Sequence, residues 1–267
     1  MENLIASDIR ASAGGKEILT GLSLNIRKGD CIALLGPNGH GKSTFLNVLM
    51  GSPEYKVTSG SLTLDGEDLL PLAADARSRK GMFLAFQNPP DIPGVAASDF
   101  FRAGVNVRRE EPVSAYEFYK MTEEAYRRVG LSPEMASRHL NEGFSGGEKK
   151  RDEILQMLLL KPQIAFLDEI DSGLDVDALN AVASVINELR EQGTTFVIIS
   201  HYDRLFKLVK PNRTAVIVNG RVALEGGPEL AERISSEGYS FLTTEHGISL
   251  AKAETISANP SLVLPGV

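Results

Sequence analysis

With 267 residues, the chain is long enough for one large domain or two small ones and needs no disulfide or metal staple to bury a core. Its net charge of −7 excludes a whole-chain basic footprint for nucleic acid, and 24% charged with 42% hydrophobic residues exclude global disorder. The single cysteine, Cys31, excludes a disulfide framework and a cysteine-rich metal or cluster site within one chain.

The first residues, MENLIASDIR, lack the charged-then-apolar order of a secretory signal. The longest apolar runs, 154–160, 196–199 and 215–218, fall far short of the ~20 residues of a membrane span. The expectation is a cytoplasmic protein with no direct membrane insertion. Short apolar runs bounded by Gly, Asp and Asn predict strands at 22–26, 31–35, 61–64, 82–86, 164–167, 195–199 and 214–218. The runs at 31–35, 164–167 and 195–199 are almost wholly apolar, as strands covered on both faces are. Helical patterns follow those three runs, at 42–50, 175–192 and 203–209, and the alternation predicts an α/β core.

Between Pro89 and about Lys161 the pattern changes to helices, at 114–129 and 147–160, with little sign of strand. The expected organisation is an α/β core made of 1–88 and 162–247, with a helical subdomain, 89–161, inserted into it. The Ala- and Ser-rich end, 248–267, is expected to be a flexible tail.

The segment GPNGHGKST follows one apolar run and opens a helix, which is the setting a phosphate-binding loop requires. Its residues are Gly36, Pro37, Asn38, Gly39, His40, Gly41, Lys42, Ser43 and Thr44. Glycines let backbone N–H groups curl around phosphate oxygens, and the helix dipole adds positive potential. Lys42 is expected to reach the β- and γ-phosphates, and Ser43 to ligate Mg²⁺. His40 reads as a tolerated spacer. Downstream, IAFLDE places Asp168 at a strand end, where it can hold the metal through a water. Glu169, one residue on, can orient or deprotonate the attacking water. A second cradle, Ser145, Gly146 and Gly147 at a helix start, is economically explained as serving a nucleotide held by another copy.

Together these motifs resemble the ATP-binding cassette (ABC) ATPases across roughly residues 1–245. The resemblance implies a P-loop NTPase fold: a mixed β-sheet core with an N-terminal antiparallel part and an inserted α-helical subdomain. It implies ATP and Mg²⁺ as cofactors, and a transient head-to-tail dimer in which Ser145, Gly146 and Gly147 meet the ATP of the opposite subunit. It adds Gln87 as the lid-loop glutamine that senses Mg²⁺ and γ-phosphate, Asp175 in the loop SGLD facing the opposite subunit, and His201 as the γ-phosphate histidine. Two departures stand out. Arg10-Ala11-Ser12-Ala13 offers no aromatic for stacking the adenine, and Glu148 replaces the more usual glutamine of the signature.

A finer resemblance is to the SufC family, the ATPases of the SUF iron–sulfur cluster assembly system. It rests on AFQNPPDIPGV, GFSGGEKKRDEILQM, DEIDSGLDVDAL and SHYDRL. It implies binding to SufB/SufD-like scaffold proteins, with ATP-driven dimerisation rearranging the scaffold. Because they follow Gln87 directly, the lid loop, 88–95, and Phe100-Phe101 are the expected scaffold contact, with Phe100 and Phe101 as filling of the helical subdomain's core the alternative. It also suggests that Lys150, with Asp171 beside it, pairs with Glu169 at rest and restrains it. The alternatives are the ATPase subunit of a membrane transporter and a nucleotide-binding regulator with little turnover.

Overall fold

The computed structural model describes residues 1–200 and 203–250. The chain opens with β1 (Asn3–Ala13) and β2 (Lys16–Arg27), paired antiparallel around Gly14 and Gly15, both at positive φ. Sequence reading found the second half of β2 and missed β1. The reason is a bulge: Asp8 sits at φ 49°, and the pairing shifts register between Ala6 and Ile9. Burial therefore follows Leu4 and Ala6, skips a residue, and resumes at Ile9 and Ala11, which breaks the period of two.

Then come β3 (Cys31–Leu35), α1 (Lys42–Met50), β4 (Lys56–Leu64), β5 (Glu67–Asp68), α2 (Ala74–Arg79) and β6 (Met82–Ala85). The next segment holds β7 (Ile92–Ala96), α3 (Ala97–Asn106), α4 (Ala115–Arg128), a 3₁₀ turn at Pro133–Ser137, β8 (His139–Leu140) and α5 (Gly146–Leu160). The chain continues through β9 (Ile164–Asp168), α6 (Val176–Glu191), β10 (Thr195–Ile199) and α7 (Asp203–Val209). It closes with β11 (Arg213–Val218), β12 (Arg221–Gly226), α8 (Pro228–Glu237) and α9 (Ser240–Thr244).

Two sheets carry the core. The first, in order β2-β1-β4-β5, is antiparallel; the second, β12-β11-β3-β10-β9-β6, is parallel except for β12. This is the mixed α/β P-loop architecture the sequence implied. Every residue of β3, β9 and β10 is buried, in keeping with their unbroken apolar runs.

The helical segment departs from expectation in one respect: β7 and β8 pair antiparallel, Ile92 opposite Leu140. Pro93 and Gly94 inside β7, and the two-residue length of β8, leave no alternation to read. Its helices share one core with the sheet, since Tyr126, Ile154 and Leu155 belong to the same cluster as Phe83, Leu167 and Phe196. The segment expected as a flexible tail begins with packed residues. The Ile248 N–H donates to Leu242 O at 2.9 Å, and Ile248 and Leu250 pack against the cluster of Val216, Phe241 and Leu242. The rest of that tail, 251–267, lies outside the described residues.

Strand order places the site. β3, β10, β9 and β6 are neighbours, three of them parallel to β9 or to β10 beside it, so their carboxyl ends share one edge. That edge carries the loop after β3, Asp168 at the end of β9 with Glu169 just after it, and Gln87 after β6.

Candidate nucleotide site

The loop after β3 is shaped by close backbone approach. Gly36 sits at φ 144°, and a Cβ there would lie 2.1 Å from Ile217 O on β11, so no side chain fits. Gly39 and Gly41 follow at φ 78° and 102°. Gly41 caps α1 with no side-chain acceptor, which leaves the first-turn N–H groups for an anion.

Lys42 is buried, and its ammonium donates to Gly36 O at 2.7 Å and Pro37 O at 3.1 Å. Burial lowers its pKa, opposed by the nearby Glu169 and Asp168 carboxylates. A buried cation whose hydrogen bonds among the described residues go to carbonyls, inside a ring of glycines, suits a phosphate.

Three hydrogen bonds that sequence reading missed hold this loop. The Gly36 N–H donates to the Tyr239 hydroxyl at 3.0 Å, and burial raises the pKa of that phenol. The Asn219 N–H donates to His40 Nδ1 at 3.0 Å, and the Gly220 N–H donates to His40 O at 3.0 Å. His40 is therefore a strap between the loop and the β11–β12 turn rather than a spacer. The Asn219-Gly220 pair was the available signal, since Asn-Gly marks a tight hairpin.

Across the edge, the Ser43 hydroxyl donates to Asp168 Oδ1 at 3.1 Å. Burial raises the Asp168 pKa, countered by that hydroxyl and by the Lys150 and Lys42 ammonium groups. Gln87 Nε2 donates to Glu169 Oε2 at 2.8 Å. Ser43, Asp168 and Gln87 thus offer hydroxyl, carboxylate and amide oxygens, the hard donors Mg²⁺ takes alongside phosphate and water. Among the described residues, no group of three or more His, Cys, Asp or Glu side chains is placed to hold a metal ion. Glu169 stands at φ 50°, a left-handed conformation rare for a side-chain-bearing residue, pinned by its N–H to Ile199 O at 2.9 Å. His201 lies outside the described residues.

The second cradle is separate. Ser145 caps α5, its hydroxyl accepting the Glu148 N–H at 3.3 Å, while the Ser145 N–H donates to Glu148 Oε2 at 2.7 Å. The glutamate that departs from the usual signature thus closes a capping box, and those backbone and hydroxyl contacts hold its carboxyl below the usual range. Ser145, Gly146 and Gly147 line a cleft of about 500 Å³ with Gln87, Ser172 and Asp175, and no residue of the P-loop reaches it. Asp175 caps α6, accepting the Ala178 N–H at 2.8 Å. Gln87 and Ser172 belong to both surroundings: each lines the cleft, Gln87 meets the Glu169 carboxylate, and Ser172 donates to the Glu169 carbonyl.

Lys150 is placed differently from expectation. Its ammonium donates to Phe86 O at 3.2 Å and to Gln87 O, while Gln87 is the described donor to Glu169. The carboxylates of Asp168, Glu153, Glu169 and Asp171 act on Lys150 through space, against a burial that lowers its pKa. Asp171 accepts from the Ser200 hydroxyl.

The sequence profile of the ABC transporter family matches residues 19–172. Vegetative protein 296 of Bacillus subtilis is 48% identical over 247 residues, covering 92% of this chain and 95% of its own. "Probable ABC transporter ATP-binding protein SpyM3_0208" of Streptococcus pyogenes is 45% identical over 93% of this chain and 98% of its own. In three dimensions the fold matches the dimeric ATP-binding cassette MJ0796 bound to ADP and Pi, at a TM-score of 0.74 and 23% identity, over 84% of this chain and 98% of that one. It also matches the ADP conformation of the cassette MJ1267, at 0.70 and 25% identity, over 89% and 96%. Profile, relatives and fold agree, and the chain belongs to the ABC transporter family as one of its ATP-hydrolysing cassettes.

Proposed function

We propose that the chain is an ATP-hydrolysing subunit that closes head-to-tail with a second copy over two ATP–Mg²⁺ sites, and that closure rearranges a cytoplasmic iron–sulfur cluster assembly scaffold. The observation that carries the first part is the split between the two cradles. The glycine ring around Lys42 and the Ser145–Gly147 cleft are built in one chain but do not meet within it. A second copy turned by a two-fold axis presents its cradle to the first copy's P-loop.

In this reading the N–H groups of the P-loop and the Lys42 ammonium bind the phosphates, releasing Lys42 from the carbonyls of Gly36 and Pro37. Ser43, Asp168 and Gln87 orient toward Mg²⁺, which when bound neutralises charge on the β- and γ-phosphates. Glu169 takes the proton of the attacking water, and His201 contacts the γ-phosphate. Ser145, Gly146, Gly147 and Asp175 serve the opposite subunit.

The scaffold reading, with SufB/SufD-like partners, is supported by the four long stretches shared with the SufC family, which extend beyond the generic motifs. A membrane transporter as partner is the second reading, favoured by the printed name of the streptococcal relative. No described helix is long and apolar enough to cross a membrane.

Two measurements test this. Light scattering of the Glu169→Gln variant is expected to show a doubling of mass with ATP and Mg²⁺, and an unchanged mass at saturating ATP overturns the shared sites. Purification of the native complex is expected to yield scaffold subunits that stimulate turnover. Transmembrane subunits in their place overturn the scaffold and establish the second reading.

A further inference from the structure

Helix α5 carries the Ser145–Gly147 cradle at its start and, two turns on, a buried glutamate that the roles above do not use. Glu153 is 4% exposed, and its Oε2 accepts the Phe86 N–H at 3.0 Å. Phe86 is the residue between β6 and Gln87. From the same face of the helix, the Lys150 ammonium donates to Phe86 O at 3.2 Å and to Gln87 O. The backbone on both sides of the Phe86–Gln87 peptide is therefore gripped by two side chains of one helix. Gln87 then reaches Glu169 Oε2 at 2.8 Å.

We propose that Glu153 is a positioning residue for ATP hydrolysis: by holding the Phe86 N–H it fixes where Gln87 stands against Glu169, and it ties that placement to the helix whose start meets the opposite subunit's nucleotide. Any shift of α5 on closure of the dimer then moves Gln87 within the chain's own site. The inference rests on the reading of Gln87 and Glu169 given above.

Side-chain chemistry agrees with an acceptor role. Burial, aided by Asp152 and opposed by the Phe86 N–H and Lys150, pushes the Glu153 carboxyl up to about 8. At neutral pH it is largely protonated, and its carbonyl oxygen still accepts. Glutamine is the matching neutral side chain.

Steady-state kinetics on Glu153→Met, Glu153→Gln, Gln87→Ala and the Glu153→Met/Gln87→Ala double variant test the proposal. Glu153→Met keeps volume and removes the acceptor, so kcat should fall roughly ten- to a hundredfold, the scale of a misplaced catalytic group. KM for ATP should stay within about twofold, because the P-loop is untouched. Glu153→Gln should restore native kcat. In the Gln87→Ala background the methionine substitution should cost less than about twofold, since its route to the chemistry is already gone. Where the methionine variant does not fold, Glu153→Ala, which leaves room for a water at the Phe86 N–H, carries the same cycle.

A full, additive loss in the Gln87→Ala background, or native kcat in Glu153→Met, overturns the positioning role. Native turnover in Gln87→Ala alone removes Gln87 from the chemistry, and the inference falls with that reading rather than on Glu153 itself.

Discussion

Asp152 offers a quantitative test of how α5 is buried. Its side chain is 0% exposed; Oδ2 accepts Gln156 Nε2 at 3.2 Å, while Oδ1 and the buried Tyr126 hydroxyl of α4 have no hydrogen-bond partner among the described residues. Burial pushes the carboxyl from its ordinary 3.8 up to about 7, only partly offset by Gln156. Between those values the folded chain holds a proton that the unfolded chain has released, so stability falls as pH rises through the window and levels off above it. Three pKa steps at about 1.4 kcal/mol each put the loss at up to about 4 kcal/mol above pH 7. Asp152→Asn keeps the shape and the acceptor for Gln156 and carries no such loss. Thermal melts of both proteins at pH 4.5, 6 and 8 should show a gap in favour of asparagine that is small at the lowest pH and widest at the highest. At about 2–4 °C per kcal/mol for a chain of this size, the gap at pH 8 is up to roughly 8–16 °C. A gap that is constant with pH, or an asparagine variant less stable at pH 8, refutes the reasoning.

Glu169→Gln should retain nucleotide binding, read by a fluorescent ATP analogue, while phosphate release falls by ~10²–10⁴-fold, the usual worth of a general base. Lys150→Ala separates two roles for that side chain. A brake on Glu169 raises basal turnover on removal, whereas a cation holding the Phe86 and Gln87 carbonyls lowers it, and its contacts predict the fall. Arg77 is buried with its guanidinium on the carbonyls of Leu72, Val48 and Leu49, the last two at the end of α1. Arg77→Met strands those carbonyls, so urea denaturation should show a loss of at least about 2 kcal/mol, with an unchanged midpoint counting against the contact.

The parts of the site legible in sequence are those whose chemistry is local. A phosphate loop needs glycines at fixed offsets and a lysine at the helix start, so residues 36–44 declare it without reference to the rest of the fold. Asp168 and Glu169 were readable because the buried strand before them is an unbroken apolar run. What stayed hidden is contact with backbone atoms, since any residue supplies a carbonyl or an N–H. The partners of Lys150 are the carbonyls of Phe86 and Gln87, more than sixty positions away, and an expectation that pairs charge with charge looks past them. The Tyr239 hydroxyl at Gly36 crosses 203 positions for the same kind of bond. In β1 the pattern was present but out of phase, because the bulge at Asp8 slips the alternation midway.

The left-handed backbone at Glu169 shows how the fold spends stability at this edge. A residue with a side chain at φ 50° costs roughly 1–3 kcal/mol and persists only where its surroundings fix it. Here they do: the Glu169 N–H is held by Ile199 O, and its carbonyl accepts both the Ser172 N–H at 3.3 Å and the Ser172 hydroxyl at 2.9 Å. An extended residue in this place would continue β9 and alternate across its faces, carrying the carboxylate away from Asp168's edge or deeper into the sheet. The turn instead ends the strand at Asp168, so that two consecutive acids serve different ends. Asp168 stays buried against Ser43, and Glu169, half-exposed, meets Gln87. Glycine would relieve the strain but carries no carboxylate, which leaves a glutamate in a glycine's conformation as the arrangement that supplies both the turn and the carboxylate that the proposed base requires.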